Sequence, residues 1–151
     1  MLKKLILIGS SALFFASPFS SYARVNDIEN RLLIQSIIVR ESAVYGVDPG
    51  LAIFIAANES GFYARAKSKV STASGIFQWV KNSWLGICVK GYKIADEHAD
   101  VFDPVLNIRC AMRTIADGGL SHWLADPIMR RKLLKAGFIT EHGALAANLI
   151  Y

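Results

Sequence analysis

Between residues 26 and 45 the apolar side chains recur at helical spacing, with Ile28, Leu32 and Ile38 among them. That period predicts an amphipathic helix capped by Asn26 or Asp27 and stopped at Gly46. The next apolar run, LAIFIAA over residues 51–57, leaves almost no polar side, which predicts a central helix. Asp48-Pro49 precedes it, and the same dipeptide returns as Asp103-Pro104 and Asp126-Pro127. An aspartate can accept from the amides of a first helical turn, and proline is preset for that turn. The three pairs therefore predict helices over about 49–59, 104–117 and 127–136, the second ending at Gly118-Gly119. Residues 61–100 lose the helical period. FYARAKSKVSTAS, residues 62–74, reads as a loop or small hairpin, and 72–80 adds a brief apolar piece. With no repeat and no long alternation, the expected fold is mainly α: a single helical domain with a small irregular or β-hairpin lobe.

Glu59 breaks the apolar pattern at the end of its helix. A carboxylate is disfavoured at the negative end of a helix dipole, and apolar neighbours disfavour its charge as well. Both effects favour a protonated glutamate near neutral pH, the state a general acid needs. A glutamate at a frayed helix end that simply faces solvent has the same sequence appearance. The residues alone leave both readings open.

Composition changes the picture at the N-terminus. The chain has 151 residues and is 53% hydrophobic and 19% charged, enough apolar material for a real core. Part of that excess lies in residues 1–23, where Lys3 and Lys4 precede an apolar stretch over 5–16 and then small and polar residues ending in Ser21 and Ala23. This three-part pattern predicts a secretory signal peptide. Its apolar run is short of the roughly 20 residues that span a bilayer, so no stable membrane span is expected after cleavage. The expected mature domain is 24–151, exported, with the periplasm ahead of the extracellular space. Removing Lys3 and Lys4 lowers the formal charge from +5 to +3. That mild basicity suits an anionic polymer, and export argues against nucleic acid. Cys88 and Cys110 both fall in the mature part, and an oxidising compartment permits a disulfide between them. A loop of that size gives roughly 3 kcal/mol in the chain-entropy treatment. Nothing in the pattern suggests a cofactor or a metal site.

Three motifs then occur in order. Glu59-Ser60 follows the apolar helix; Gly75, Ile76, Phe77 and Gln78 precede Trp79; and DPVLNI occupies residues 103–108. This set resembles the soluble lytic transglycosylase family, lysozyme-like enzymes that cleave bacterial cell-wall glycan. The resemblance covers roughly residues 32–124 and implies a lysozyme-like fold with the small lobe beside an active-site cleft. By position it implies Glu59 as the single catalytic acid/base, with Ser60 orienting it or binding near an N-acetyl group. It implies that Gln78 hydrogen-bonds in the cleft, that Phe77 lines it and that Asn107 is structural. Gly75 would let backbone approach a sugar closely, and an amide such as Gln78 can both donate and accept. For Phe77, Trp79, Trp84 and Trp123 the default is core packing, with at most one or two expected to stack on sugar rings. The family's later Ala-Tyr-Asn motif is absent, and residues 146–148 are a poor substitute. Instead GGLSHWL, residues 118–124, resembles a subset of small lysozyme-like proteins, in which two cysteines also lie around this helix. His122 and Trp123 are possible cleft residues, although a lone histidine beside a tryptophan is more often a packing or surface residue. Beyond residue 126 the resemblance fades into the basic amphipathic segment MRRKLLKAGF.

The reaction that this resemblance implies cleaves the bond between N-acetylmuramic acid and N-acetylglucosamine and leaves a 1,6-anhydro end, with no cofactor. A hydrolytic lysozyme more commonly pairs two carboxylates. Asp96, Glu97, Asp100 and Asp103 are the candidates for a second acid. Asp103 is better explained as a cap, and the others lie in the charged stretch KIADEHAD. The alternatives are a muramidase and, because the tyrosine motif is missing, a weakly catalytic peptidoglycan-binding or assembly protein. Expected partners are glycan strands and a secretion, conjugation or phage machine.

Overall fold

In the computed structural model residues 19–147 are described, with side chains from residue 27 onward. Most of the predicted signal peptide, residues 1–18, lies outside the described residues, as does Asn148. Helix α1 spans Phe19–Tyr45. It passes through the expected cap at Asn26 or Asp27 because nothing there breaks a helix. Asp27 instead pairs with Arg31 one turn on, at 3.1 Å. Gly46, in the left-handed region at φ +65°, ends α1 as expected.

Helices α2 (Pro49–Glu59), α4 (Pro104–Ala116) and α6 (Pro127–Lys135) each start at an Asp-Pro pair. The three aspartates cap as predicted, accepting from the amides of Leu51, Leu106 and Ile128 at 2.7, 2.9 and 2.9 Å. Between α2 and α4 the chain is irregular. A one-turn helix α3 (Lys81–Ser83) widens into a π-type segment (Trp84–Gly91), and a 3₁₀ turn (His98–Phe102) leads to α4. A short helix α5 (Ser121–Leu124) joins α4 to α6.

The core forms where α2 and α4 pack on α1 and on the irregular segment. Ile34, Ile37 and Ile38 of α1, Leu51 and Ile55 of α2, and Ile108 and Met112 of α4 are all buried. Ile28 and Leu32, expected on the buried stripe, are instead 57% and 59% exposed. Ile38, expected on the same stripe, is buried, so the face in use is offset around the helix toward Ile34, Ile37 and Ile38.

The small lobe is a hairpin held by single bridges. Ser74 pairs with both Lys67 and Trp79, and the Ser74 and Trp79 backbones exchange two 3.0 Å hydrogen bonds. Cys88 and Cys110 form a disulfide that ties the π-type segment to α4. Trp79, Trp84 and Trp123 are buried, the default expected for them. The fold is thus mainly helical with a minimal β lobe. Among the described residues no helix is long and apolar enough to cross a membrane.

Candidate active site

The Gly75–Gln78 motif forms the tight turn between the paired Ser74 and Trp79. Gly75 has φ +78°, and a side chain there would collide with the Asn107 amide and the Val101 carbonyl. Close approach is therefore what this position requires, as the sequence suggested, but the approaching group is Asn107 rather than a sugar. Asn107 is fully buried. Its Nδ2 donates to the Val101 carbonyl at 2.8 Å, and its Oδ1 accepts from the Phe77 amide at 3.0 Å. The third motif thus fixes the second from behind.

Gln78 adopts a left-handed backbone at φ +51°, a conformation a non-glycine residue holds only when its surroundings enforce it. Here the paired strands and Asn107 supply that constraint. The Gln78 Nε2 donates to the Gly75 carbonyl at 2.8 Å, and among the described residues Oε1 has no hydrogen bond to protein. A fixed amide with an open acceptor is suited to a hydroxyl or acetamido group.

Glu59, Phe77, Gln78, Trp79, His122, Trp123 and Asp126 line one small cleft, with Val80 and Ser83 at its edge. Phe77 and Trp123 form its floor; both are buried, and the indole of Trp123 donates to the Phe77 carbonyl at 3.1 Å. His122 is exposed and lies against Trp79, ring centres 5.7 Å apart. The indole nitrogen of Trp79 is buried and has no hydrogen-bond partner among the described residues. Ser60 faces elsewhere. Its hydroxyl donates to the Ala56 carbonyl at 3.3 Å, and it lines a separate hollow with Arg31, Leu33, Phe62 and Arg65.

Glu59 is the last residue of α2 and is half-buried. Loss of water around it, then the negative charge of Asp126, push its pKa up to about 7, against a smaller opposing effect of Lys132. A carboxyl poised there can give or take a proton at neutral pH.

Asp126 was not among the second-acid candidates of the sequence. Asp96, Glu97, Asp100 and Asp103 do not line the cleft. Asp100 accepts from the amides of Asp96 and Glu97 and holds their loop, while Asp103 caps α4. Asp126 also reads as a cap and is one; its second position, facing the cleft of a helix 67 positions earlier in the chain, leaves no local sequence signal.

A helical frame carries a small lobe and a cleft in which one half-buried carboxyl is poised for acid/base chemistry. The chain belongs to the transglycosylase SLT family: the family described as Transglycosylase SLT domain matches residues 36–118. Members of this family act on peptidoglycan and cleave its glycosidic bonds. Searches of curated proteins and of solved structures gave no significant match. Glu59, the Gly75–Gln78 turn and Asn107 lie inside the matched span, whereas His122, Trp123 and Asp126 lie beyond it.

Proposed function

We propose that the protein is an exported lytic transglycosylase that cleaves the N-acetylmuramic acid–N-acetylglucosamine bond with Glu59 as its single acid/base. The observation that carries this reading is Glu59 itself, half-buried beside Gln78 and pushed up to about 7. Protonated Glu59 gives its proton to the glycosidic oxygen as that bond breaks. Positive charge developing at the muramic C1 is met by the sugar's own N-acetyl oxygen. Glu59, now ionised, takes the proton of the muramic C6 hydroxyl, whose oxygen attacks C1 and closes the 1,6-anhydro ring. Holding the sugar in the cleft makes this internal attack faster than attack by free water. Gln78 binds a polar sugar substituent, and His122 borders the bound glycan. The setting is the periplasm, after removal of residues 1–23, where local wall cleavage serves a secretion, conjugation or phage machine.

The nearby carboxylate of Asp126 favours one rival, the hydrolytic lysozyme, because inverting and retaining hydrolases use a second acid. Digestion of purified sacculi, with the products weighed by mass spectrometry, separates the two. Anhydromuramic ends are expected. Reducing muramic ends would assign a muramidase instead. Glu59→Gln should lower product release by about 10²–10⁴-fold. Equal release by wild type and Glu59→Gln, with binding to sacculi intact, would point to a wall-binding protein.

A further inference from the structure

The segment beyond the family match is more than a tail. Helix α6 buries Met129 and Leu133, and the Phe138 that follows it packs on Phe54 of α2 with ring centres 5.2 Å apart. Lys132 reaches back to α2, donating from Nζ to the Asn58 Oδ1 at 2.9 Å. Asn58 is held in turn by a 2.8 Å bond from its Nδ2 to the Phe54 carbonyl. A cation is therefore fixed beside the residue that precedes Glu59. At the other end of the same helix Asp126 is fixed by its cap bond to Ile128 and lines the Glu59 cleft.

We propose that Asp126 and Lys132 are opposed positioning charges that set the pH range over which Glu59 holds its proton. This rests on the reading of Glu59 as the acid/base. Asp126 opposes ionisation of Glu59 by like-charge repulsion, and Lys132 favours it. Asp126 lines the cleft with Glu59, Lys132 stands outside it, and both charged side chains are exposed, so each acts on Glu59 through partly screened surroundings. The remaining cleft groups from other elements are the neutral Gln78 and Ser83 and, on α5, His122. The direction of each influence on Glu59 agrees with this arrangement. Both charges come from one helix, so its docking on α2 places the two together. A protein that lacked α6 would keep the motif glutamate and lose its setting.

Asp126→Asn and Lys132→Met test the pair. Asparagine caps a helix about as well as aspartate, and methionine keeps most of the lysine stem, so each change removes charge with little loss of structure. The Glu59 titration midpoint is read by carboxyl ¹³C NMR on the folded full-length mature protein. The pH dependence of product release from sacculi is the second measurement. Asp126→Asn should move the midpoint and the alkaline limb down by about half a unit or more, and Lys132→Met should move both up. The double variant should return toward wild type. Coincident midpoints in wild type and both single variants would overturn the proposal. So would Asp126→Asn that is inactive at every pH with the Glu59 midpoint unmoved, since that is the behaviour of a chemical partner. The titration arm stands even if Glu59→Gln proves fully active, an outcome that would remove the proposed reaction but leave the charge coupling measurable.

Discussion

Glu41 and Glu59 sit on neighbouring helices of one core, and their surroundings treat the same carboxyl in opposite ways. Glu41 is buried, only 3% exposed. Arg109 of α4 nevertheless donates to both its oxygens, at 3.0 and 3.2 Å, and Arg40 donates twice to Oε1, at 3.0 and 3.3 Å. The Arg109 hydrogen bonds outweigh burial and hold Glu41 below the usual carboxylate range. Glu59 also loses much of its water, and among the described residues no cation is bonded to it. Burial therefore prevails there, and Asp126 adds to it. Depth alone does not decide whether a carboxyl is charged; the partners that replace water do. One site joins α1 to α4, and the other leaves a proton free to move.

The largest separation between them should be in turnover. The 10²–10⁴-fold loss expected of Glu59→Gln has no counterpart at Glu41, which lies outside the cleft. Assayed well below its melting temperature, Glu41→Gln should release muropeptides at close to the wild-type rate. A comparable loss in both variants, with both folded, would end the division of labour.

Stability should reverse the ranking. Glu41→Gln gives up charge-assisted hydrogen bonds, each worth about 1.5–3 kcal/mol. The side chains of Arg109 and Arg40 are 40% and 59% exposed, so water can take up the released cations. The net cost at pH 7 should then be about 2 kcal/mol rather than the larger cost of stranding a buried charge. The sign with pH follows from the lowered pKa of Glu41. Its contribution is fully present above the unfolded value near 4.5 and is lost as pH falls through the folded value. Denaturant titrations of the two proteins should diverge at pH 7 and converge in acid. A gap that persisted unchanged at low pH would mean that packing, not charge, is lost.

Much of this was legible in the sequence, and what was missed shares a cause. The three Asp-Pro caps and the Gly46 stop are local, and each was read from its own residues; the cysteine pair followed from the export pattern and the Gly75–Gln78 motif from the family resemblance, and that this motif forms a turn was not foreseen. Three features depended on distant partners. The buried face of α1 takes in Ile34 and Ile37 beside the expected Ile38 and leaves out Ile28 and Leu32, a choice set by packing partners that the helical period does not encode. Gly75 is a glycine because Asn107, 32 positions away, fills the space beside it. Arg109 and Glu41 are 68 positions apart, so neither residue announced an ion pair. Asp126 shows how a sufficient local explanation can conceal a second role: its capping pattern accounted for it completely. The apolar surroundings of Glu59 were visible, but the charges of Asp126 and Lys132 beside it were not.

The smallest expected effect is also the sharpest test of the contrast, because its sign is opposite to that at Glu41. A carboxyl whose pKa is raised on folding binds more protons in the native state than in the unfolded state over the intervening pH range. Native stability then falls as pH rises from about 4.5 to about 7, and the penalty is complete above that. Converted in full, the shift is about 3 kcal/mol, and solvent screening at a half-buried cleft reduces it to about 1 kcal/mol. Glutamine at position 59 carries no charge at any pH and escapes the penalty. Glu59→Gln should therefore be more stable than wild type by about 1 kcal/mol at pH 8 and no more stable at pH 4. Scanning calorimetry at the two pH values reads the difference as an upward shift of the melting temperature at pH 8 alone. A destabilised Glu59→Gln at pH 8 would mean that the ionised carboxylate is held by favourable contacts, as Glu41 is, and the two sites would no longer be opposites.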